Sequence, residues 1–266
     1  MDFRCQRHSH KALRSDMVRP IAALAMFIAS VHLLVVSAQS MDGQKEVLLG
    51  SGPMPTPSAV LQLHHVALDS ESLVAALKSP EPLVRGLAAV VLAENGDAGA
   101  IPPMKESLAR ESDQQARINI AKALAELRDS DGIAALRSVC LDTKALQAYR
   151  LEAAMEIRPY SRDCLASVAD IAWSSPEPDV RLEALNQLQR EKEPLRGHEG
   201  SLLALEIHAL NDSNPTVRMV AADGLAKAGD PSVLPLLRQK MEGESDGTVK
   251  SRMQRDIGAL AGAAPK

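Results

Sequence analysis

The phrase Ser79-Pro80-Glu81-Pro82-Leu83-Val84-Arg85 returns as Ser175-Pro176-Glu177-Pro178-Asp179-Val180-Arg181, 96 positions later. Pro215-Thr216-Val217-Arg218 is a third copy of Pro-x-Val-Arg. Ala116-Arg117 and Tyr149-Arg150 hold the same place between them, and Val249-Lys250 closes the series. The successive steps are 32, 33, 31, 37 and 32 residues. A chain self-similar at this period stacks units that cannot bury their apolar faces alone, so it predicts a repeat array with one continuous core.

The columns behind the basic residue say what each unit is. Three positions on stand Ala88, Ile120, Ala153, Ala184, Ala221 and Met253; seven positions on stand Leu92, Leu124, Ile157, Leu188, Leu225 and Ile257. Apolar residues at −1, +3 and +7 share one face of a helix. This is helix A of each unit, and small Ala in its columns lets neighbouring helices approach closely. Turn chemistry then separates A from a second helix, B. Gly229 suits the left-handed residue after a helix, Asp230 an N-cap and Pro231 a first helical position, and Gly96-Asp97 repeats half of that signal.

The B helices follow at Ile101/Met104/Leu108, Ile133/Leu136/Cys140, Leu165/Val168/Ile171, Leu202/Leu205 and Val233/Leu236. Ser79-Pro80 and Ser175-Pro176 read as cap and first residue of their A helices. Leu73 to Leu77 reads as a lone B helix at the front, and the last A helix, Val249 to Leu260, has no B after it. The step of 37 comes from a polar insertion, Gln189 to Glu199, expected as a loop outside the register.

Composition agrees. Hydrophobic residues make up 45% of the 266 and aromatics 2%. A core of Ala, Leu, Val, Ile and Met suits close-packed helices better than a β-sandwich. The predicted class is all-α, a solenoid of about five and a half helical hairpins over residues 70–262, with a flexible linker at 39–69 and a short tail at 263–266.

The Pro-x-Val-Arg-x-x-Ala phrase and the two-helix period of about 32 resemble HEAT-like repeats, closest to the short type named after phycobilisome lyases. The resemblance covers about residues 70 to 262. It implies an α-solenoid acting as scaffold or binding surface, with a few enzymes in the class; fold alone does not select among these. The family often places an Asp six residues before the Arg. Here Asp212 does so, whereas Ser79 and Ser175 stand at the matching positions of two other units, which breaks any continuous Asp–Arg ladder.

Residues 1–38 read as a signal peptide. Arg4, Arg7, Lys11, Arg14 and Arg19 form a basic leader, Ile21 to Val36 is uncharged and apolar, and Val36 and Ala38 precede a cut before Gln39. The competing reading is an uncleaved anchor, the one way this chain meets a membrane. A spanning helix asks for about 20 apolar residues, and this run has 16 with Ser30 and His32 inside it. Met17 is an alternative start that leaves the same conclusion. Location is therefore secreted or periplasmic. Without the leader, 25 basic face 32 acidic residues, a net charge near −7. That balance, with Tyr149, Tyr160 and Trp173 as the only remaining aromatics, argues against nucleic acid.

Candidate chemistry is sparse. The Arg column (Arg85, Arg117, Arg150, Arg181, Arg218) reads as an anion track or, preferably, as forked donors binding carbonyls and caps of adjacent units. His198-Glu199 invites comparison with the HEAT-like di-iron hydroxylases that modify a lysine on a translation factor, which use several such pairs. One pair cannot build that site, and adjacent His64 and His65 point apart, leaving His208 alone. Tyr149 reads as core, and Trp173 as a packed helix end with a half-exposed contact as its rival. The sequence thus gives no catalytic residue, no metal site and no cofactor site. It predicts a non-catalytic module presenting the concave B-helix face to another protein, with a lyase- or hydroxylase-like enzyme as the rival. Cys140 and Cys164 are expected as free thiols. In a flush register the counterpart of Cys140 is Ala172, which puts the two Cα atoms about 15 Å apart, beyond the roughly 7 Å limit of a disulfide.

Overall fold

A computed structural model describes residues 55–191 and 201–263. The leader, residues 39–54 of the linker, His198 with most of the insertion, and residues 264–266 lie outside them. The described chain is an all-α solenoid: α1 (Pro57–Leu63), α2 (Ser70–Ala76), α3 (Pro82–Glu94), α4 (Ile101–Arg110), α5 (Gln114–Glu126), α6 (Ser130–Leu141), α7 (Gln147–Ile157), α8 (Leu165–Ser174), α9 (Pro178–Gln189), α10 (Leu202–Ala209), α11 (Pro215–Ala228), α12 (Leu234–Gly243) and α13 (Gly247–Ala263). From α3 onward odd-numbered helices are A helices and even-numbered ones B helices, with α2 as the front B helix.

The two columns form the core. Ala88, Ile120, Ala153, Ala184 and Ala221 are 0% exposed and Met253 is 1% exposed. Leu92, Leu124 and Leu225 are 0% exposed, and Ile157 and Leu188 1%. Each A helix thus packs against its neighbours in the A layer and against at least one B helix beside it. Truncating a leucine of the +7 column to Ala costs about 2–5 kcal/mol.

Turn chemistry explains the joints. Gly96 and Gly229 both adopt positive φ, at 68° and 75°, and Asp97 and Asp230 each accept a backbone N–H two residues on. Arg128, with Asp129 behind it, takes the same conformation at φ 66°. The A helices begin later than Ser-Pro implied. Pro82 and Pro178, not Pro80 and Pro176, are the first helical residues. A proline disfavours the helical region for the residue before it, so Glu81 and Glu177 stay extended while Ser79 and Ser175 accept their N–H groups.

Three expectations are corrected. The flexible linker contains helix α1: Thr56 caps it by accepting the Ala59 N–H at 3.2 Å, Pro57 starts it, and Leu61, 0% exposed, anchors it against α3. With Leu61 as its one buried residue, this short helix carries no apolar period to reveal it. The insertion begins later than Gln189, because Gln189 belongs to α9 and the Glu191 side chain is buried.

The third correction concerns the cysteines, which form a disulfide, Cys140–Cys164, with Cα atoms 5.9 Å apart. The flush register fails in the third unit. Ser107, late in α4, donates to the Leu77 carbonyl at the end of α2; Ser167 makes the corresponding bond to the Cys140 carbonyl, but from the first turn of α8. Cys140 therefore meets Ser167 rather than Ala172, a displacement of five residues, or about 7.5 Å along a helix. That slide brings Cys164, the residue before α8, onto Cys140.

Candidate functional site

Four of the five arginines in the column are held by contacts within the array; Arg117 makes none of them. Arg85 donates through Nη1 to the Ser79 and Pro80 carbonyls and forks Nε and Nη2 onto Glu111, both at 2.7 Å. Arg181 repeats this with Ser175, Pro176 and Asp212, and Arg218 with Asp212, Ser213 and Glu244. Each guanidinium thereby ties the end of one B helix to the end of the next. The acids are buried, at 1%, 7% and 4% side-chain exposure. Bidentate pairing holds Glu111, Asp212 and Glu244 below the usual carboxylate range against the opposing effect of burial, with Glu244 lowered to about 2. Glutamate serves where the family pattern has aspartate, so the ladder has three rungs rather than one. Arg150 departs from it, donating to the Cys140 carbonyl and to Ser167 Oγ at 2.6 Å.

The B layer carries an apolar surface. Trp173 ends α8 at 42% exposure, while Leu203 at 45% and Ile207 at 37% lie one turn apart on α10. The Trp173 ring stacks on His208, centroids 4.0 Å apart and planes inclined by 12°. Trp173 is thus the half-exposed contact rather than a packed end: α8 and α10 adjoin, but among the described residues the ring that meets it is itself at the surface.

Beneath this surface, on the buried face of α10, Glu206 is 2% exposed. It accepts from Gln189 Nε2 at 2.9 Å, and Gly224 supplies the room, since a Cβ there would collide with both side chains. Burial pushes the Glu206 carboxyl up to about 7, with Asp223 nearby adding to it and Gln189 opposing it. Glu152 on α7 is likewise raised to about 7 by burial, opposed by the Gln115 amide at 2.7 Å. Sequence patterning missed both, since a Glu on a helix reads as solvated unless its register position is inspected.

The other candidates do not converge. His64 pairs through Nδ1 with Glu81 at 2.9 Å. His65 adopts φ 60°. Tyr149 is half-buried, and burial raises its hydroxyl. Among the described residues no three His, Cys, Asp or Glu side chains gather as metal ligands, and no helix is long and apolar enough to cross a membrane.

A family model for HEAT repeats matches residues 70–158 and 161–256. No curated protein matches. Among solved structures, the complex of CpcE and CpcF of phycocyanin lyase from Nostoc sp. is 20% identical, with 82% of this chain and 100% of that one aligned at TM-score 0.36. Escherichia coli YibA is 14% identical, with 83% and 99% aligned at TM-score 0.40. Human deoxyhypusine hydroxylase, in complex with glycerol, is 15% identical, with 90% and 99% aligned at TM-score 0.31.

Proposed function

The chain belongs to the HEAT-repeat family, and on that premise we propose that it is an exported, non-catalytic module that binds another protein through its B-helix layer. The observation that carries this reading is Trp173, exposed at the end of α8 and stacked on His208 of α10, the helix that also exposes Leu203 and Ile207. Partly exposed aromatics flanked by aliphatic side chains are the usual anchors of protein interfaces. Arg85, Arg150, Arg181 and Arg218 are engaged within the array, which leaves those four no role in holding a ligand.

The test places a photo-cross-linking residue at Ile207 and, separately, at Lys122 on an A helix. The expected result is a discrete adduct from the first position alone, lost in a folded Trp173→Ala/Leu203→Ser variant. Equal labelling from both positions sinks the B-layer assignment.

Export rests on the leader pattern and gains support from the Cys140–Cys164 bond, since disulfides persist chiefly in oxidising compartments. Intact mass of protein recovered outside the cytoplasm should match a chain beginning at Gln39 or within a few residues of it. Full-length chain in the membrane fraction would instead establish the anchor.

A further inference from the structure

Gln115 of α5 and Glu152 of α7 join two consecutive A helices. Gln115 Nε2 donates to Glu152 Oε1 at 2.7 Å and to Asn119 Oδ1, one turn on, at 3.3 Å. Asn119 is itself confined by α3, where a Cβ on Gly86 would stand 3.0 Å from Asn119 Nδ2. Both hydrogens of the Gln115 amide are therefore used, and its oxygen is what remains. Gln115 Oε1 and Glu152 Oε2 are both sealed from solvent, and neither has a hydrogen-bond partner. A buried acceptor left unpaired is costly, and an ionised carboxylate has no hydrogen to offer it. With Glu152 charged, this joint holds two orphaned acceptors and a buried charge. One proton on Glu152 Oε2 removes all three, because the hydroxyl donates to Gln115 Oε1 and closes an acid–amide pair.

We propose that Glu152 is held as a neutral carboxylic acid, paired both ways with the Gln115 amide, and that loss of its proton to water releases the joint between α5 and α7. The surrounding charges do little to hold a carboxylate there. Among the described residues, Lys122 of α5 is the one cation that acts on Glu152, and Glu156 already engages it at 3.1 Å. Glu156, on the same helix as Glu152, opposes a second negative charge. Tyr149, one turn earlier on α7, has its hydroxyl raised by burial. On α9, Glu183 accepts from Gln187, Arg181 is committed to Asp212, and Asp179 lies in the first turn. Asp131 and Arg137 of α6 and Asp170 of α8 are exposed. Glu191, the last described residue before the insertion, pairs with Arg158, about 9 Å further along α7. Burial, over the opposing Gln115 bond, raises the Glu152 carboxyl to about 7. An opened joint returns it to 4.5. The proton's contribution is therefore complete below about pH 4.5 and is lost as pH rises to about 7.

The test follows, in the full chain, the Glu152 carboxyl carbon by NMR and the hydrogen exchange of backbone amides in α5 and α7. Exchange is compared between the parent and Glu152→Gln, whose side-chain amide offers Gln115 Oε1 a permanent donor. The carboxyl carbon should titrate near pH 7. At pH 5 both proteins should protect α5 and α7 alike. Relative to the variant, the parent's amides there should open about tenfold more readily per pH unit between pH 5 and pH 6.5, and the difference should level off above pH 7. Glu206 is present in both proteins, so the difference reads Glu152 alone. A carboxyl carbon that titrates below pH 5, equal pH dependence in the two proteins, or weaker protection of the variant at pH 5 each overturns the proposal. The carboxyl titration needs no variant, so it decides even where Glu152→Gln does not fold.

Discussion

Gln189 Nε2 donates at once to Glu206 Oε1 at 2.9 Å and to the Val220 carbonyl at 3.1 Å, so one amide at the end of α9 joins α10 to α11. The arrangement needs a residue without a side chain at Gly224. Gly224→Ala gains helix propensity but drives a methyl into two hydrogen-bonded, largely buried groups. A net loss of about 1–3 kcal/mol is expected from overpacking, read as a lower urea midpoint at unchanged slope. A gain in stability would mean the pair relaxes freely.

Glu152 and Glu206 set the neutral side of the pH profile. Both carboxyls stand near 4.5 in the unfolded chain and at about 7 in the folded one. Their contribution is fully present below about pH 4.5 and is lost as pH rises through 7, by at most about 3 kcal/mol each on the scale of 1.36 kcal/mol per pH unit. Glu244, lowered to about 2, works in the opposite window: its contribution is present above pH 4.5 and lost as pH falls toward 2. Denaturant melts should therefore show greater stability at pH 5 than at pH 8. Glu206→Gln should reduce that difference. A profile that rises from pH 5 to pH 8 in both proteins contradicts the assignment.

Alkylation of denatured, unreduced protein should label neither Cys140 nor Cys164, and the intact mass should be two units low. Reduction, or a Cys140→Ala/Cys164→Ala variant, should cost about 3 kcal/mol for a loop of this length. Full labelling without reductant would restore the free thiols that a uniform repeat implies.

The ladder separates equivalent-looking arginines. Asp212→Ala strips the forked partner from Arg181 and should cost about 3–5 kcal/mol, as for a buried pair broken on one side. Arg117 occupies the same column, but no hydrogen bond or ion pair joins it to Asp142, the acid at the next B-helix end. Arg117→Gln should stay within about 0.5 kcal/mol of the parent. Comparable losses from both would mean the column acts by position rather than by its bridges.

Periodicity made the array legible. Six units repeat one buried column, so errors at single residues average out, and Leu92, Leu124 and Leu225 fall where the spacing puts them. What depends on departure from the average was not legible. Pro80 and Pro82 offer two starts, and only the extended Glu81 between them decides. The disulfide was excluded by assuming that α8 sits flush with α6, when its contact point is Ser167. Trp173 and His208 lie on neighbouring units with the insertion between them, and no pairwise spacing foretells their stacking. Glu206 shows the same limit: its burial depends on Gly224, a residue in another helix.

The bond between Cys140 and Cys164 has a mechanical consequence. A stack of units pulled from its two ends opens first at the junction with the fewest transverse ties. Beside the third unit Arg150 finds a carbonyl and a hydroxyl where Arg85, Arg181 and Arg218 find a carboxylate, so this joint, like the one beside Arg117, lacks a rung and is expected to part early. The covalent tether spans the same pair of B helices and denies it that freedom. Stretched while oxidised, the array should yield elsewhere; stretched after reduction, α6 and α8 should be among the joints that yield early. The place where the molecule departs furthest from its own pattern then carries load as well as the regular joints do.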